Sequence, residues 1–531
     1  MAVNKKKVII RIIVIAAIVA AILICIASCD VADGGIGPKA DAKLMRAISF
    51  GNAEACREAI AEGANINRLG GMLGTSIGTT KREKNPIRIA SDNLSKLRLV
   101  YILLDAGADP NVIDVEGDSI FANAVRIGDF KLCTRMLEKG ADINLKDKNG
   151  RTPLDSCFLG KYYIAEEMYD FLIENGAEVT PETLDWVFAT NWRYENSVVA
   201  ESRGNTPGYS LVKRIVKDLD KTGQPINIDP LIKAIILGNE TEAMRLVKNE
   251  TEYDIRCLFY TAAFGTPELL DALFKDGREL SEKDLNNAGL FAIAAQCGNI
   301  NMLEYLLQNY DIKSSEQNDA LEMAVIYNQI DAVRFLIAGI ERPESDLLAY
   351  ACRNGNVDMV NLLIENRDFQ KGYQQAAEWA CEYDQPACLE LIIEAAMDEN
   401  GNVGLSLEEP MIDAAICGSK DSIILLVQNV AENDMSDKLA SPLTYACSNG
   451  KFEIAEYLIQ HGADINPSPE EIWAGPLYYA IGAGELDIVE LLVENGAIIK
   501  EEFLSWGFAK VSDNIYQYLI SESEMQKTLN S

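Results

Sequence analysis

A single histidine, twelve cysteines and 81 carboxylates are the reactive inventory of this 531-residue chain, and their spacing decides what they can assemble. His461, being alone, excludes a two-histidine metal site, a zinc finger and any catalytic pair that needs a second imidazole. The glycine-rich stretch from Gly70 to Lys81 invites a phosphate-loop reading, but such a loop needs its lysine directly after the last glycine, and Thr79 and Thr80 follow Gly78. An elongated hairpin finger or a loop accounts for it better. Asp147 to Gly150 opens like a calcium loop, yet the twelfth place lacks the required glutamate. Acidic pairs such as Glu252 with Asp254, or Asp398 with Glu399, have nothing to fix their geometry and read as solvated surface. The residues therefore point to no catalytic set, no metal site and no cofactor.

The cysteines raise the question of disulfides, since ten of them follow Cys29. Cys297, Cys352, Cys381, Cys417 and Cys447 each follow the small-residue core of a first helix, so equivalent sulfurs are separated by one repeat step. That step is about 8 to 10 Å, whereas a disulfide needs Cα atoms within about 7 Å. They read as small buried apolar residues. Cys56, Cys133 and Cys388 fall in second helices, which leaves Cys381 with Cys388 as a pair open to bridging.

The formal charge is −33, and all four charges in the first 29 residues, Lys5, Lys6, Lys7 and Arg11, are positive, so the remainder is more acidic still. A field of that sign repels phosphate backbones and argues against nucleic acid as a partner. Behind the basic start, Ile12 to Ile26 is unbroken Ile, Val, Ala, Leu and one Cys. That run belongs in a membrane, and its length suits a signal peptide or an anchor. Its ending, Ile26-Ala27-Ser28-Cys29, resembles the bacterial lipobox, in which the cysteine is lipidated and becomes the new amino terminus; Cys29 is then the lipidation site. An uncleaved single-pass anchor is the alternative, and either places the acidic body on the exported face, periplasmic or at the cell surface of a bacterium. Residues 1-29 form this segment and 30-40 a flexible tether.

From 41 to 520 one unit recurs: a small-residue helix, a turn, a Leu-rich helix. The turns fall at Gly238, Gly265, Gly298, Asn328, Gly355, Asp384, Gly418, Gly450 and Gly484, steps of 27 to 34 residues, which excludes a single barrel or a dinucleotide-binding unit. The clearest copies run Lys139 to Asn144 into Asp147 to Leu154, Ser441 to Asn466, and Gly475 to Ala497. These residues resemble the ankyrin repeat, whose unit is a β-turn and two antiparallel helices. The resemblance implies an all-α solenoid of about fourteen repeats with short β-hairpin fingers. Gly accepts positive φ in the turns, and Pro at the first helical position needs no amide donor.

Departures from the pattern carry expectations of their own. The family's Thr-Pro-Leu-His tetrapeptide is never complete, Asp155, Thr444 or Tyr478 taking its last place, so the histidine bonds between repeats should be missing. From 231 to 430 the Gly-Ala-Asp turns are mostly lost, which predicts a softer middle. The period breaks at Arg68 to Asn85 and again near Thr190, giving an N-terminal block over 41-189, an irregular insertion over 190-230, a C-terminal block over 231-520 and a tail over 521-531.

Such a fold implies a non-catalytic scaffold for protein–protein interaction, tethered to a membrane, whose protein partner the sequence does not identify. In the family, contacts come from finger tips and first helices. Here the candidates are Trp379 and Tyr478, with Tyr260, Tyr350, Tyr445 and Tyr479 on equivalent helices, Trp473 on a finger, Trp192 and Tyr194 in the insertion, and the basic cluster Lys81, Arg82 and Lys84. A small-molecule-binding or enzymatic element within 190-230, or an acidic spacer on the membrane, are the alternatives.

Overall fold

The computed structural model describes residues 39–67, 97–113, 119–159, 165–187, 208–223, 226–249, 253–254, 256–274, 289–340, 346–366, 372–397, 403–430, 435–466, 475–505 and 512–529. Cys29, the 1-29 segment and the 30-38 part of the tether lie outside them. So do Lys81, Arg82, Lys84, Trp192, Tyr194 and Trp473.

The described chain is helical throughout. In the N-terminal block the helices are α1 (Lys39–Phe50), α2 (Ala53–Ala61), α3 (Leu97–Asp105), α4 (Ile120–Ile127), α5 (Phe130–Glu138), α6 (Pro153–Ser156) and α7 (Ala165–Glu174). A short helix over 181–187 precedes α8 (Tyr209–Thr222). The middle runs α9 (Pro230–Ile236), α10 (Glu240–Asn249), α11 (Arg256–Phe264), α12 (Pro267–Phe274), α13 (Leu290–Gln296), α14 (Ile300–Asn309), α15 (Ser314–Ile326) and α16 (Ile330–Ile337). It continues with α17 (Leu347–Arg353), α18 (Val357–Asn366), α19 (Tyr373–Glu382), α20 (Pro386–Ala396), α21 (Glu408–Cys417) and α22 (Lys420–Gln428). The last are α23 (Met435–Ser448), α24 (Phe452–Gln460), α25 (Pro476–Ala483), α26 (Leu486–Glu494), α27 (Glu501–Ser505) and α28 (Asp513–Leu529).

Residue size explains the two-layer stack. First helices bring alanines into the interface, Ala294, Ala324, Ala351, Ala377, Ala414, Ala446 and Ala480 all being fully buried, which allows close approach to the next first helix. Second helices cover them with Leu303, Val333, Leu363, Leu389, Leu426, Leu458 and Leu492. Each first helix packs on the next first helix and on its own partner, as α17 does on α19 and α18. Pro153, Pro230, Pro386 and Pro476 open their helices as the sequence suggests. Pro442 does not: α23 starts at Met435 and carries it inside, about two turns having formed ahead of it at the loss of a ladder bond.

Fingers and turns join the layers by different devices. Among the described residues there is no β-strand; pairing is limited to the bridges Ile113–Ser119 and Met397–Val403. Asparagines clip one finger to the next instead. Asn111 donates to the Gly140 carbonyl at 3.0 Å and accepts from the Asp142 amide at 2.7 Å. Asn67, Asn144 and Asn466 repeat this against Gly107, Gly176 and Gly496. In the middle only Gln374 clips in this way, to Ser406, among the described residues. There the coupling moves to the turns: Asn299 donates to the Ala262 and Gly265 carbonyls, Asn354 to Val325 and Ile326, Ser419 to Cys381.

Within 190-230 the residues from Gly208 onward are regular. Helix α8 joins the stack through Tyr169 donating to Asp218 at 3.0 Å and through the Arg214–Asp170 pair. The residue that precedes it meets the other block: a Cβ on Gly208 would stand 2.9 Å from the ring of Tyr327.

The array closes on itself. In successive repeats the side chain after one turn seats on the turn glycine before it: Gln329 on Gly298, Gln385 on Gly355, Lys451 on Gly418, Glu485 on Gly450. In the same register Asn52, after the turn at Gly51, seats on Gly484, and the Glu54 amide donates to the Gly484 carbonyl at 2.8 Å. At the turn the first described repeat thus makes the contacts that a repeat following α25 and α26 would make. On the outer side α28 packs against both α26 and α2.

Candidate functional site

Five residues before each turn a first helix presents one side chain on the same face. From α13 to α25 these are Ile293, Met323, Tyr350, Trp379, Asp413, Tyr445 and Tyr479, followed by turns in which Gly298, Asn328, Gly355, Asp384, Gly418, Gly450 and Gly484 all have positive φ. Asn328 and Asp384 are of the side-chain types that tolerate the left-handed region. Exposure grows along the row: Ile293 and Met323 are buried, Tyr350, Trp379 and Asp413 half-buried, and Tyr445 and Tyr479 exposed at 43% and 39%. Tyr260, the equivalent residue of α11, is buried edge-on against Tyr209 and belongs to the core.

The row is chemically graded. Tyr350 and Trp379 meet edge to face at 5.3 Å, and the Arg353 guanidinium lies 5.0 and 5.7 Å from their ring centres. Burial, with the neighbouring Glu322, pushes the Tyr350 phenol up to about 12. One step on, burial together with Glu378, Glu382 and Glu409 pushes the Asp413 carboxyl up to about 6. Beyond it, Tyr478 and Tyr479 stand edge to face at 5.2 Å. Trp379 thus stands in the row, with the acidic Asp413 step after it, whereas Tyr478 lies one position off the row and is half-buried beside Tyr479.

Other candidate chemistry is absorbed by local structure. The Asp147 carboxylate is filled by its own finger, accepting from the Asn149 and Arg151 amides at 2.7 and 2.9 Å and from Arg151 Nε at 2.7 Å. Asp155, in the family's histidine position, closes a capping box with Thr152. His461 ends α24 with Nδ1 2.8 Å from the Tyr457 carbonyl and its ring on Tyr457. Cys381 and Cys388 are both buried as thiols, and Cys388 hydrogen-bonds with Cys352 of the preceding repeat, which raises the Cys352 thiol and lowers that of Cys388. A groove of about 400 Å³ between α20 and α22 is lined by Pro386, Glu390, Asp421 and Leu425. Among the described residues no group of three His, Cys, Asp or Glu is placed to hold a metal ion, and no helix is long and apolar enough to cross a membrane.

What sequence reasoning missed is the seam between α25–α26 and α1–α2. Arg98 donates to three turn carbonyls, Ser448 at 2.7 Å, Gly51 at 2.8 Å and Ala483 at 3.2 Å. Its Nε lies 3.2 Å from the Glu485 carboxylate without hydrogen-bond alignment, so that attraction is coulombic. Burial lowers the Arg98 pKa, and burial raises that of Glu485 against the pull of Arg98. On the outer side Glu58 caps α28, accepting from Ser512 Oγ and the Asn514 amide at 2.8 Å each and from the Asp513 amide at 3.2 Å. Lys43 pairs with Glu58 at 2.8 Å, Glu62 at 2.7 Å and Asp513 at 3.1 Å. Burial opposes the Glu58 charge, but Lys43 and these donors hold its pKa below the ordinary value.

A family model described as "Ankyrin repeats" matches residues 87–183, 258–346 and 411–503, just over half of the chain. An ankyrin repeat-containing protein of Schizosaccharomyces pombe is 30% identical over 141 residues, 27% of this chain and 60% of its own length. A putative palmitoyltransferase of Danio rerio is 30% identical over 142 residues, 27% of this chain and 20% of its own. The chain thus spans less than two thirds of either relative. The crystal structure of the ankyrin repeat domain of Bcl-3 is 25% identical, covering 34% of this chain and 86% of that one, with a TM-score of 0.28. With helix pairs, glycine turns and Asn-clipped fingers recurring along a chain that the family model matches over more than half its length, this protein belongs to the ankyrin-repeat family.

Proposed function

We propose that the chain is a membrane-tethered, non-catalytic ankyrin-repeat scaffold of about fourteen repeats that holds a protein partner on the first-helix face running from Trp379 to Tyr479. The observation that carries this reading is the row itself. Tyrosines at 43% and 39% exposure, in register on adjacent helices, form an apolar surface that folding leaves uncovered, and such surfaces mark partner sites. The family supports the scaffold role, its members acting through extended faces rather than enclosed pockets.

The tether rests on the sequence alone: the apolar run ending at Cys29, with lipidation there, would place the acidic body on the exported face of a bacterial membrane. Affinity capture from cells cross-linked before lysis tests the scaffold. One protein recovered by the full-length chain and lost with Tyr445→Ala plus Tyr479→Ala locates the contact on the row. Loss with Trp192→Ala plus Tyr194→Ala instead moves it to the insertion, and recovery of nothing above background removes the adaptor reading. Radiolabelled-lipid incorporation abolished by Cys29→Ala tests the tether, and unchanged incorporation sinks it.

A further inference from the structure

The described internal steps stack buried alanines and leucines, and the seam adds charged contacts at both of its edges. Its inner edge is Asn52 on Gly484 and Arg98 on three carbonyls; its outer edge is Glu58, Lys43 and the amino end of α28. Asn514 Nδ2 adds a bond to Glu54 at 2.7 Å. Asn52 is 1% exposed and its Nδ2 has no hydrogen-bond partner among the described residues. Charged and polar contacts hold both edges of this joint, so a single substitution removes a defined part of it.

The joint also links parts more than 400 residues apart, Asn52 to Gly484 and Glu58 to Ser512, so nothing in the local chain holds it shut. The other neighbouring repeats follow one another along the chain. Opening at an internal step strains a covalent connection; opening at the seam strains none.

We propose that the seam is a releasable joint: the repeat α1–α2 separates from α25, α26 and α28 as a unit, converting a closed ring into an open arc while every repeat stays folded. Glu58 is the outer latch and Arg98 the inner one. Release changes the curvature of the whole array, and with it the spacing of the tyrosine row, without any ligand entering a pocket. The inference stands whether or not the row is the partner site.

The test uses the full chain and four variants. Glu58→Gln keeps the side-chain volume and removes the latch charge, with Glu62→Gln as its control, since both pair with Lys43 but Glu58 is the one that caps α28. Gly484→Ala forces a Cβ onto the Asn52 side-chain amide and to 2.7 Å from the Ala53 nitrogen, whereas Gly496→Ala, equally in the left-handed region at φ +96 against +74, meets nothing within 4 Å. The readouts are hydrogen exchange at the Glu54 and Asn514 amides, which bond across the seam, the radius of gyration by solution scattering, and helix content by circular dichroism. The expected result is at least about tenfold faster exchange at those amides and a larger radius in Glu58→Gln and Gly484→Ala, with unchanged helix content and no change in either control. Unaltered seam exchange in both variants would overturn the proposal. So would exchange rising equally at buried amides of α17 and α19, or Gly496→Ala matching Gly484→Ala, because the seam would then open only by unfolding.

Discussion

Arg98 replaces three separate caps with one side chain. Its guanidinium satisfies carbonyls from three turns, and removing it orphans all three in a half-buried place. Arg98→Ala is expected to destabilise the chain by about 3 kcal/mol, and Arg98→Lys to recover less than half of this, since an ammonium lacks the planar fork; chemical denaturation measures both. Two carboxyls give opposite pH dependences. Glu58 faces Lys43, Asp513, Glu62 and Glu54, and its pKa lies below the ordinary value; its contribution is therefore full at neutral pH and lost as pH falls through the folded pKa. Asp413, held up near 6 by burial and by Glu378, Glu382 and Glu409, opposes folding increasingly as pH rises toward and through 6. Asp413→Asn should raise the melting temperature at pH 7.5 but not at pH 4, and a gain equal at both values would dismiss the carboxylate cluster as its cause. None of these roles was legible from composition: Arg98 contacts backbone carbonyls, which carry no residue-type signature, and Asp413 looks like any other acid until Glu378 and Glu382 are one helix away.

At the scale of elements the sequence reads well where small and large residues alternate by helix. Pro476, Gly484 and Gly496 announce α25, α26 and the finger beyond. It reads less well at α23, where Met435 to Ser441 holds no helix signal strong enough to override a proline start. The expectation of a softer middle divides into two parts. Loss of Gly-Ala-Asp removes the finger clips, but Asn299, Asn354 and Ser419 restore coupling at the turns. Asn111→Ala, which deletes both bonds of one clip, should cost about 1–2 kcal/mol and speed exchange at the Asp142 amide, whose acceptor it removes. Finger amides between 231 and 430 should exchange faster than those of 441–497 while first-helix amides of the two regions match. Slow fingers in the middle would refute this division.

For the whole molecule, closure changes how stability is shared. An open solenoid unfolds from its ends, because terminal repeats have one neighbour. Here α1–α2 has neighbours on both sides, so the ring should unfold in one steep transition. Deleting residues 512–531 removes α28 and the bonds to Glu58, and the expected consequence is an added early transition on denaturation with a smaller slope; a single transition of wild-type slope would show that α28 contributes nothing to cooperativity. The repeat class was visible in the spacing of turns such as Gly450 and Gly484. Closure was not, because it rests on the accumulated small rotation per repeat, a quantity that no short motif encodes and that only appears when Asn52 arrives at Gly484.

The seating of Asn52 on Gly484 in the common register also means that position in the described stack and position along the polypeptide are separable. A circular permutant, opened at the exposed finger glycine Gly462 and joined by a flexible linker from the end of α28 to the start of α1, would assemble the same neighbours in a different order of synthesis. In it the joint that nature leaves unconnected becomes covalent, and the break moves to an ordinary step.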